Sequence, residues 1–348
     1  MKQDSANIVD FPSRENMPSG EASSYGQNQI KNTLVHEKTP PQSGIALALG
    51  GGAARGWSHI GVLRAIDEAN IPISMIAGTS IGALVGGCYL AGKLDELEEF
   101  ARSITRRNIL KYVDFAFRAS GLISGVRLAE RMEDEIGHLN IEDLDRRFIA
   151  IATDIKSGNE VWLENGSLVS AIRASYALPG VFEPVQHFGR HMVDGALVNP
   201  VPVSACRAFE QKIVLAINLS SGVFGRSAIV RSSSFPEQEE AEADQIDVNS
   251  GLSSWFAFSK NQSSVSAQKR SRLGLTGVMI EAFNIIQDKI VRSRLAGDPP
   301  DFTIRPQLNG IGLADFHKAE EAIEQGYAVA QMKLKTLEES GLREALEH

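Results

Sequence analysis

The segment Gly78–Gly82, which reads Gly-Thr-Ser-Ile-Gly, constrains the fold of this chain more than any other segment. It follows an apolar, partly β-branched run, Ile71–Ala77, and precedes a run of small and apolar residues, Ala83–Ala91. Gly-x-Ser-x-Gly between a strand and a helix forms a sharp turn that exposes the serine hydroxyl at the positive helix terminus. The pattern therefore predicts a nucleophilic Ser80 whose flanking glycines let two backbone segments pass closely.

A glycine-rich segment lies upstream of this turn. The strand-like run Ile45–Leu49 leads into Gly-Gly-Gly-Ala-Ala-Arg-Gly at Gly50–Gly56, and an amphipathic helical pattern follows over residues 57–69. Backbone N–H groups at such a turn can face an anion, and beside a nucleophilic serine they form an oxyanion hole. The loop lacks the lysine of a P-loop and the glycine spacing of a dinucleotide site. Nucleotide binding is therefore disfavoured, and a tight turn without chemistry remains the alternative.

A carboxylate follows an apolar run further along the chain, at Asp194 in His-Met-Val-Asp-Gly-Ala (residues 191–196). Serine is a weak nucleophile until a base takes its proton. A carboxylate can act as that base if it touches the hydroxyl and if its surroundings raise its basicity. Asp-Gly after an apolar run is also a common turn. Asp194 is thus a candidate base, with a structural turn as the alternative.

These three motifs, in this order, resemble the patatin-like phospholipase family. Further segments resemble its bacterial members, most closely the RssA group: Gly-Leu-Ile-Ser-Gly at residues 121–125, a longer segment at 174–184 and Leu-Ala-Gly-Asp-Pro-Pro at 295–300. The resemblance covers roughly residues 44–220 and resumes over roughly residues 275–330.

The resemblance implies lipid acyl hydrolysis by a Ser-Asp dyad without a histidine, metal or organic cofactor. Ser80 corresponds to the nucleophile and Asp194 to the proton acceptor of that dyad. Phospholipid or another acyl-ester lipid is the implied substrate. The implied oxyanion donors and supporting motif residues are Gly51, Gly52 and Ala53, and Gly50, Arg55, Gly56, Gly78, Gly82 and Gly195, respectively. Many relatives have glycine in place of Ala53, whose methyl group restricts the backbone. The structure must therefore show which N–H groups can serve as oxyanion donors.

Three other interpretations remain open. Ser80, Asp194 and His317 follow the chain order of an α/β-hydrolase triad, although His317 lies where a surface helix is expected to begin. The same dyad can serve a thioesterase or a general carboxylesterase. A regulatory scaffold that retains the fold without catalysis is the third. His59 has a structural interpretation as a packed or capping residue, and His187 and His191 are expected to face solvent.

Strand-like and helix-like segments alternate along the chain, which predicts an α/β fold with a mainly parallel central sheet between two helical layers. The resemblance makes this a patatin-like α/β/α fold. We expect a disordered N-terminal extension at 1–43, a patatin-like catalytic core at 44–220 and a flexible low-complexity insertion at 221–274. Helices and a strand at 275–348 would complete the domain. The predicted elements are strands at 45–49, 73–77, 148–153, 160–163, 191–193, 212–218 and 301–305, and helices at 57–69, 81–91, 93–107, 126–136, 167–176, 200–209, 276–296 and 314–338.

The amino-acid composition and the N-terminal sequence restrict the ligands and the cellular compartment that we expect for this chain. A formal net charge of −8 argues against general nucleic-acid binding, and two cysteines outside any Cys-x-x-Cys pair suit a reducing compartment. The first 43 residues contain no apolar run typical of a signal peptide, and the uncharged stretch 71–92 is broken by glycines. We expect a cytoplasmic protein, either free or peripheral at the inner face of the membrane. Trp255, Phe256 and Phe258, beside basic residues, are candidates for a lid or a lipid contact.

Overall fold

The computed structural model describes residues 44–105, 126–220 and 275–339, together with Leu342 and Leu346. Three of the sequence predictions lie outside these residues. They are the disordered extension at 1–43, the Gly-Leu-Ile-Ser-Gly segment at 121–125 and the insertion at 221–274 with its three aromatic residues.

One mixed sheet of eight strands forms the centre of the described fold. Its main path runs in the order β5-β6-β3-β2-β1-β7-β8, and β4 pairs with β3 off this path. The five strands β3, β2, β1, β7 and β8 are parallel, whereas β4, β5 and β6 add antiparallel pairs at one end. The strands are β1 Ile45–Leu49, β2 Ile73–Thr79, β3 Arg147–Asp154, β4 Glu160–Leu163, β5 Val185–His187, β6 Arg190–Asp194, β7 Val214–Ile217 and β8 Phe302–Ile304.

Helices connect and cover these strands. Their bounds are α1 Ser58–Glu68, α2 Ile81–Leu90, α3 Leu94–Ser103, α4 Val126–Ile136, α5 Leu168–Tyr176, α6 Val203–Arg207, α7 Leu275–Gly297 and α8 Ala319–Glu339. Short 3₁₀ helices lie at Ala53–Trp57, Ile141–Asp143, Gly195–Leu197 and Phe316–Lys318.

The side-chain alternation of β1 shows the three layers. Leu47 and Leu49 point into one apolar core, which α1, α2, α3, α5 and α8 line. Ala46 and Ala48 point into a second core on the opposite face, where α6 and α7 contribute residues. Because successive strand residues face opposite sides of a sheet, both faces of β1 are buried. The predicted α/β/α architecture with a mainly parallel sheet is confirmed.

Two helices of the first layer cross at glycine. A Cβ placed on Gly61 of α1 would lie 2.0 Å from the carbonyl oxygen of Ile323, and one on Gly326 of α8 would lie 2.0 Å from that of Ser58. Any side chain at either position would force the backbones apart. This contact fixes α1, and with it the glycine-rich loop that immediately precedes the helix.

The structure differs from the sequence predictions at several element ends. The helix predicted at 200–209 begins only at Val203, because the proline-containing segment before it is not helical. The helix predicted from residue 314 begins at Ala319, after a 3₁₀ turn. Strand β5 was not predicted as a strand. The uncharged stretch 71–92 consists of β2 and α2, and among the described residues no helix is long and apolar enough to cross a bilayer.

Candidate active site

Ser80 occupies the turn between β2 and α2. Its backbone has φ 58° and ψ −123°, a conformation that non-glycine residues rarely adopt and that stores strain. The flanking glycines permit it: a Cβ on Gly82 would lie 2.3 Å from the carbonyl oxygen of Leu49, and one on Gly78 would lie 2.6 Å from the nitrogen of Ala83. The expected strained serine turn is therefore present, and Ser80 retains 9% of its surface exposed.

The pairing of β3 brings Ser80 and Asp194 together. Residues 150 and 151 of β3 pair with both β2 and β4, and residues 152 and 153 pair with both β4 and β6. Because a strand has only two edges, β2 and β6 must lie end to end along the same edge of β3. Thr79 is opposite Ile151 and Asp194 is opposite Ala152. The residue that follows β2 therefore meets the last residue of β6.

The two side chains share a short hydrogen bond. Ser80 Oγ donates to Asp194 Oδ2 at 2.7 Å, while Asp194 Oδ1 accepts the N–H of Ala196 at 2.8 Å. Burial raises the pKa of Asp194 to about 7, although the hydrogen bonds from Ala196 and Ser80 act in the opposite direction. A carboxylate with this pKa is more basic than an exposed one at neutral pH and already contacts the hydroxyl proton.

The residue after Asp194 must be glycine for this geometry. A Cβ on Gly195 would lie 2.2 Å from the carbonyl oxygen of Ile151, inside van der Waals contact. Thr153 Oγ1 also donates to the carbonyl oxygen of Asp194 at 2.9 Å. Contacts of Asp194 and of Gly195 with β3 thus fix the position of the Asp-Gly turn.

Ser175 is a site residue that sequence reasoning missed. Its hydroxyl accepts the backbone N–H of Ser80 at 2.9 Å and donates to the carbonyl oxygen of Ile151 at 2.6 Å. Ser175 lies on α5 and is completely buried. It therefore connects the strained turn to β3, the strand that positions Asp194. A serine inside a helix carries no local sequence signal for such a contact.

The glycine-rich loop lies beside Ser80. A Cβ on Gly51 would be 3.5 Å from Cβ of Ser80. The N–H of Gly51 donates to the carbonyl oxygen of Pro200 at 2.9 Å, so it is already engaged within the protein. Among the described residues, the N–H groups of Gly52 and Ala53 have no hydrogen-bond acceptor. Ala53 has φ 47°, so its methyl group does not prevent the left-handed turn.

The buried side chains of His59 and Arg55 form hydrogen bonds that hold the glycine-rich loop in place. His59 Nε2 donates to the carbonyl oxygen of Gly50 at 2.7 Å, which makes Nε2 the protonated ring nitrogen. Burial lowers the pKa of His59 to about 4, so the ring is neutral at pH 7. Arg55 Nε donates to the carbonyl oxygen of Ile311 at 2.8 Å. The prediction of a packed His59 is confirmed.

Among the described residues, no histidine is hydrogen-bonded to the side chain of Ser80 or of Asp194. His317 lies in the 3₁₀ turn Phe316–Lys318, with Nδ1 3.9 Å from Oδ1 of Asp315. His187 was predicted to face solvent, which is wrong: it is buried, and its Nδ1 lies 2.9 Å from Oγ of Ser170. The unpredicted strand β5 explains this burial, since it lays His187 against α5. His191 is exposed, as expected.

Asn199 takes part in a polar cluster beside the site. Its side-chain amide donates to Glu160 Oε1 at 2.7 Å and to Ser204 Oγ at 3.0 Å. Its carbonyl oxygen accepts the hydroxyl of Thr79, the residue before Ser80, at 2.8 Å. Within the described part of the chain, no three His, Cys, Asp or Glu side chains come together as a metal site would require.

Fold and site together define a three-layer α/β protein with a serine elbow, an adjacent carboxylate and a glycine-rich loop. The sequence model described as "Patatin-like phospholipase" matches residues 47–207. An NTE family protein of Mycobacterium tuberculosis is 32% identical over 331 residues, which cover 84% of this chain and 92% of that protein. The chain belongs to the patatin-like phospholipase family, and it is a hydrolase of carboxylic esters.

Similarity extends to larger proteins. Neuropathy target esterase sws of Drosophila melanogaster is 33% identical over 184 residues, which are 51% of this chain and 13% of that protein. Human patatin-like phospholipase domain-containing protein 6 is 34% identical over 185 residues, again 51% of this chain and 13% of that protein. Among solved structures, the crystal structure of VipD from Legionella pneumophila aligns with 85% of this chain and 67% of that chain, at 11% identity and TM-score 0.45.

Proposed function

We propose that this chain hydrolyses lipid carboxylic esters through a Ser80–Asp194 dyad and an acyl-enzyme intermediate. The observation that carries the proposal is the 2.7 Å hydrogen bond from Ser80 Oγ to the buried Asp194 carboxylate. The hydroxyl proton already lies along this bond, so proton transfer needs no rearrangement. A pKa raised to about 7 makes Asp194 a base that can both take and return a proton near neutral pH.

The reaction would proceed in two halves. Ser80 Oγ attacks the ester carbonyl carbon while its proton moves to Asp194 Oδ2, and a tetrahedral oxyanion forms. The carbon–oxygen bond to the alcohol then breaks, and the alcohol leaves with the proton from Asp194. In the second half, water attacks the acyl-enzyme and gives its proton to Asp194. Ser80 finally leaves the carbonyl carbon and takes that proton back, which restores both groups.

In this mechanism the glycine-rich loop stabilises the oxyanion. We assign the donor role to the N–H groups of Gly52 and Ala53, since that of Gly51 is bonded to Pro200. Fixed amide donors need no reorganisation when charge develops, and losing one such donor typically costs a hundredfold or more in rate, roughly 10²–10³. His59 and Arg55 act as positioning residues because they hold the backbone of the loop from its buried side.

Phospholipids and lysophospholipids are the substrates we propose. Support comes from the family description and from the relatives named as an esterase and as phospholipase domain-containing proteins. A thioester or a short-chain ester presents the same carbonyl to the same dyad, so these substrates define the competing activities. The contact between the Ser80 hydroxyl and the Asp194 carboxylate favours catalysis over a scaffold without it.

The test is a substrate panel with a matched pair of variants. Phospholipid, lysophospholipid, acyl thioester and short-chain ester hydrolysis would be measured for the wild type, Ser80→Ala and Ser74→Ala. Ser74 is a buried serine on the same strand whose hydroxyl bonds to Gln211, so it controls for loss of a buried hydroxyl. We expect Ser80→Ala alone to abolish hydrolysis, with the highest kcat/KM on a lipid ester.

The result on the panel also separates the alternatives. A kcat/KM highest on the thioester or on the short-chain ester would replace the lipid substrate. Absence of turnover on every substrate, with no labelling by a fluorophosphonate, would favour the scaffold. Wild-type rates in Ser80→Ala would remove the proposed mechanism.

A further inference from the structure

The hairpin formed by β5 and β6 ends in an unusual turn. His187 pairs with Arg190, so its loop contains only two residues, Phe188 and Gly189. Both have positive φ, 47° and 74° respectively, as a type I′ turn requires. Asn, Asp and Gly favour the first position of such a turn, whereas a bulky side chain there is strained. The local backbone therefore does not explain a phenylalanine at this position.

The side chain of Phe188 lies outside the apolar cores, and the tip of its ring passes over Gly166, where an added Cβ would lie 3.3 Å from Cζ of Phe188. It is 77% exposed, although its ring meets that of His187 edge to face, with centroids 4.5 Å apart. Ile155, just after β3, is 55% exposed and lies in the same region, since its N–H donates to the carbonyl oxygen of His191 at 3.0 Å. Two large apolar side chains therefore project from adjacent turns into solvent.

The charge of these two turns differs in sign from that of the whole chain. Residues 154–159 and 187–191 contain two basic residues, Lys156 and Arg190, and one acidic residue, Asp154, so they carry a formal charge of +1, whereas the chain has a formal net charge of −8. Lys156 is exposed, and Arg190 is 63% exposed even though it pairs with the buried carboxylate of Asp154. We call the exposed residues Ile155, Lys156, Phe188 and Arg190 the hairpin tip. Apolar and cationic side chains together suit an anionic lipid surface.

The position of the hairpin tip relates it to the dyad. β6 continues along the edge of β3 beyond the end of β2, and its last residue is Asp194. Arg190 precedes Asp194 by four strand residues, so the tip lies about 14 Å beyond the carboxylate at a rise of about 3.4 Å per residue. It projects from the same edge of the sheet from which Ser80 emerges. A surface that receives the tip would thus face the end of the sheet at which Ser80 and Asp194 lie.

We propose that the hairpin tip docks on an anionic lipid surface and so turns the end of the sheet that carries the Ser80–Asp194 dyad toward it, an inference that rests on the proposed lipid substrate. Phe188 and Ile155 enter the region between head groups and acyl chains. Lys156 and Arg190 face the lipid phosphates. The strain at Phe188 is retained because the exposed aromatic ring contributes to binding rather than to folding.

The decisive variant is Phe188→Asn, because asparagine is favoured in this turn. Binding would be measured by sedimentation of the full-length protein with vesicles of mixed phosphatidylglycerol and phosphatidylcholine, and with vesicles of phosphatidylcholine alone. We expect Phe188→Asn to lower the partition coefficient on anionic vesicles about tenfold. Its melting temperature should equal or exceed that of the wild type, and its turnover of a soluble short-chain ester should stay within about twofold.

Two further variants complete the design. Met332→Asn removes another highly exposed apolar side chain, 69% exposed, from α8, and should leave vesicle binding unchanged. Lys156→Glu should weaken binding to anionic vesicles more than to neutral ones, with a reduced dependence on salt. The inference is overturned if Phe188→Asn binds anionic vesicles as the wild type does, if Met332→Asn loses as much, or if the wild type does not prefer anionic vesicles. Turnover of the soluble ester tests the dyad separately, so failure of either idea leaves the other measurable.

Discussion

The hydroxyl of Ser175 accepts the backbone N–H of Ser80 at 2.9 Å, across 95 residues of sequence. The same hydroxyl donates to Ile151, whose neighbour in β3 is paired with Asp194. The buried side chain of Ser175 thus connects the turn at Ser80 with β3, the strand that pairs with Asp194. The separation of the two reacting groups depends on this connection as well as on the sheet itself.

Replacing Ser175 with alanine should therefore impair catalysis as well as stability. The N–H of Ser80 would lose its hydrogen-bond acceptor, and an unpartnered buried donor costs about 1–3 kcal/mol. We expect a lower melting temperature and a fall in kcat/KM of about ten- to a hundredfold on a soluble ester, with little change in KM. Ser170→Ala is the matched control, since it removes a hydroxyl of the same helix that bonds to His187. Equal activity in the two variants would show that Ser175 is merely structural.

The rate should depend on the ionisation of Asp194. The carboxyl must be deprotonated to accept the proton of Ser80, and its pKa is raised to about 7 by burial. The kcat/KM for a soluble ester should therefore rise about tenfold per pH unit below this value and level off above it. A profile measured from pH 5 to 9 checks this. A midpoint near 4, the ordinary range for a carboxyl, would contradict an active role for a buried Asp194.

Stability should show the opposite pH dependence at the same residue. Between pH 4 and 7 the folded state holds a proton on Asp194 that the unfolded state has released, so the free energy of unfolding falls as pH rises through this window. Asp194→Asn has no such proton. We expect its stability relative to the wild type to be greater at pH 8 than at pH 5, by a few kcal/mol, about 1.4 for each pH unit between pH 5 and the pKa of the folded state.

Urea unfolding of both proteins at the two pH values measures this change directly. The comparison between pH values cancels the effect of altered hydrogen bonds, which is present at both. Loss of activity together with a gain in stability at pH 8 would show that the site keeps a costly buried charge for its chemistry. An unchanged difference between pH 5 and pH 8 would mean that Asp194 does not titrate as described.

A triad with His317 makes a separate prediction. Both carboxylate oxygens of Asp194 have partners, Ala196 and Ser80, while His317 lies near Asp315. We therefore expect His317→Ala to retain kcat/KM within about threefold of the wild type on a soluble ester. Circular dichroism of the variant controls for loss of fold. A loss of about a thousandfold in a folded protein would restore the triad, since removal of a triad member has effects of this size or larger.

Much of the fold and site could be predicted because the signals are local. Glycine-rich turns between strand and helix patterns mark Ser80 and the loop at Gly50–Gly56, and Asp-Gly marks Asp194. The contact between Ser80 and Asp194 comes instead from β3, which pairs with three strands in one continuous register. Such pairing joins distant segments, so no local pattern specifies it.

The features that the sequence predictions missed at the site also depend on contacts between distant segments of the chain. His187 was expected at the surface because it flanks a short turn, yet β5 pairs with β6 and buries it against α5. The hydrogen bond from the N–H of Gly51 to Pro200, far along the chain, was not predicted. Ser175 was not noticed, because its role depends on two backbone groups from other elements. The observed first residues of α6 and α8 differ from the predicted ones for a local reason, because a non-helical segment precedes α6 and a 3₁₀ turn precedes α8.

The most direct test of the dyad is covalent labelling by a fluorophosphonate, followed by peptide mass spectrometry. Trypsin releases residues 65–93 as one peptide, because no Lys or Arg lies between Arg64 and Lys93, and fragmentation then distinguishes Ser80 from Ser74. We predict one adduct on Ser80 in the wild type, none in Ser80→Ala, and labelling at least about a hundredfold slower in Asp194→Asn. An adduct on another residue, or labelling of Ser80→Ala at the wild-type rate, would contradict the assignment of Ser80 as the nucleophile.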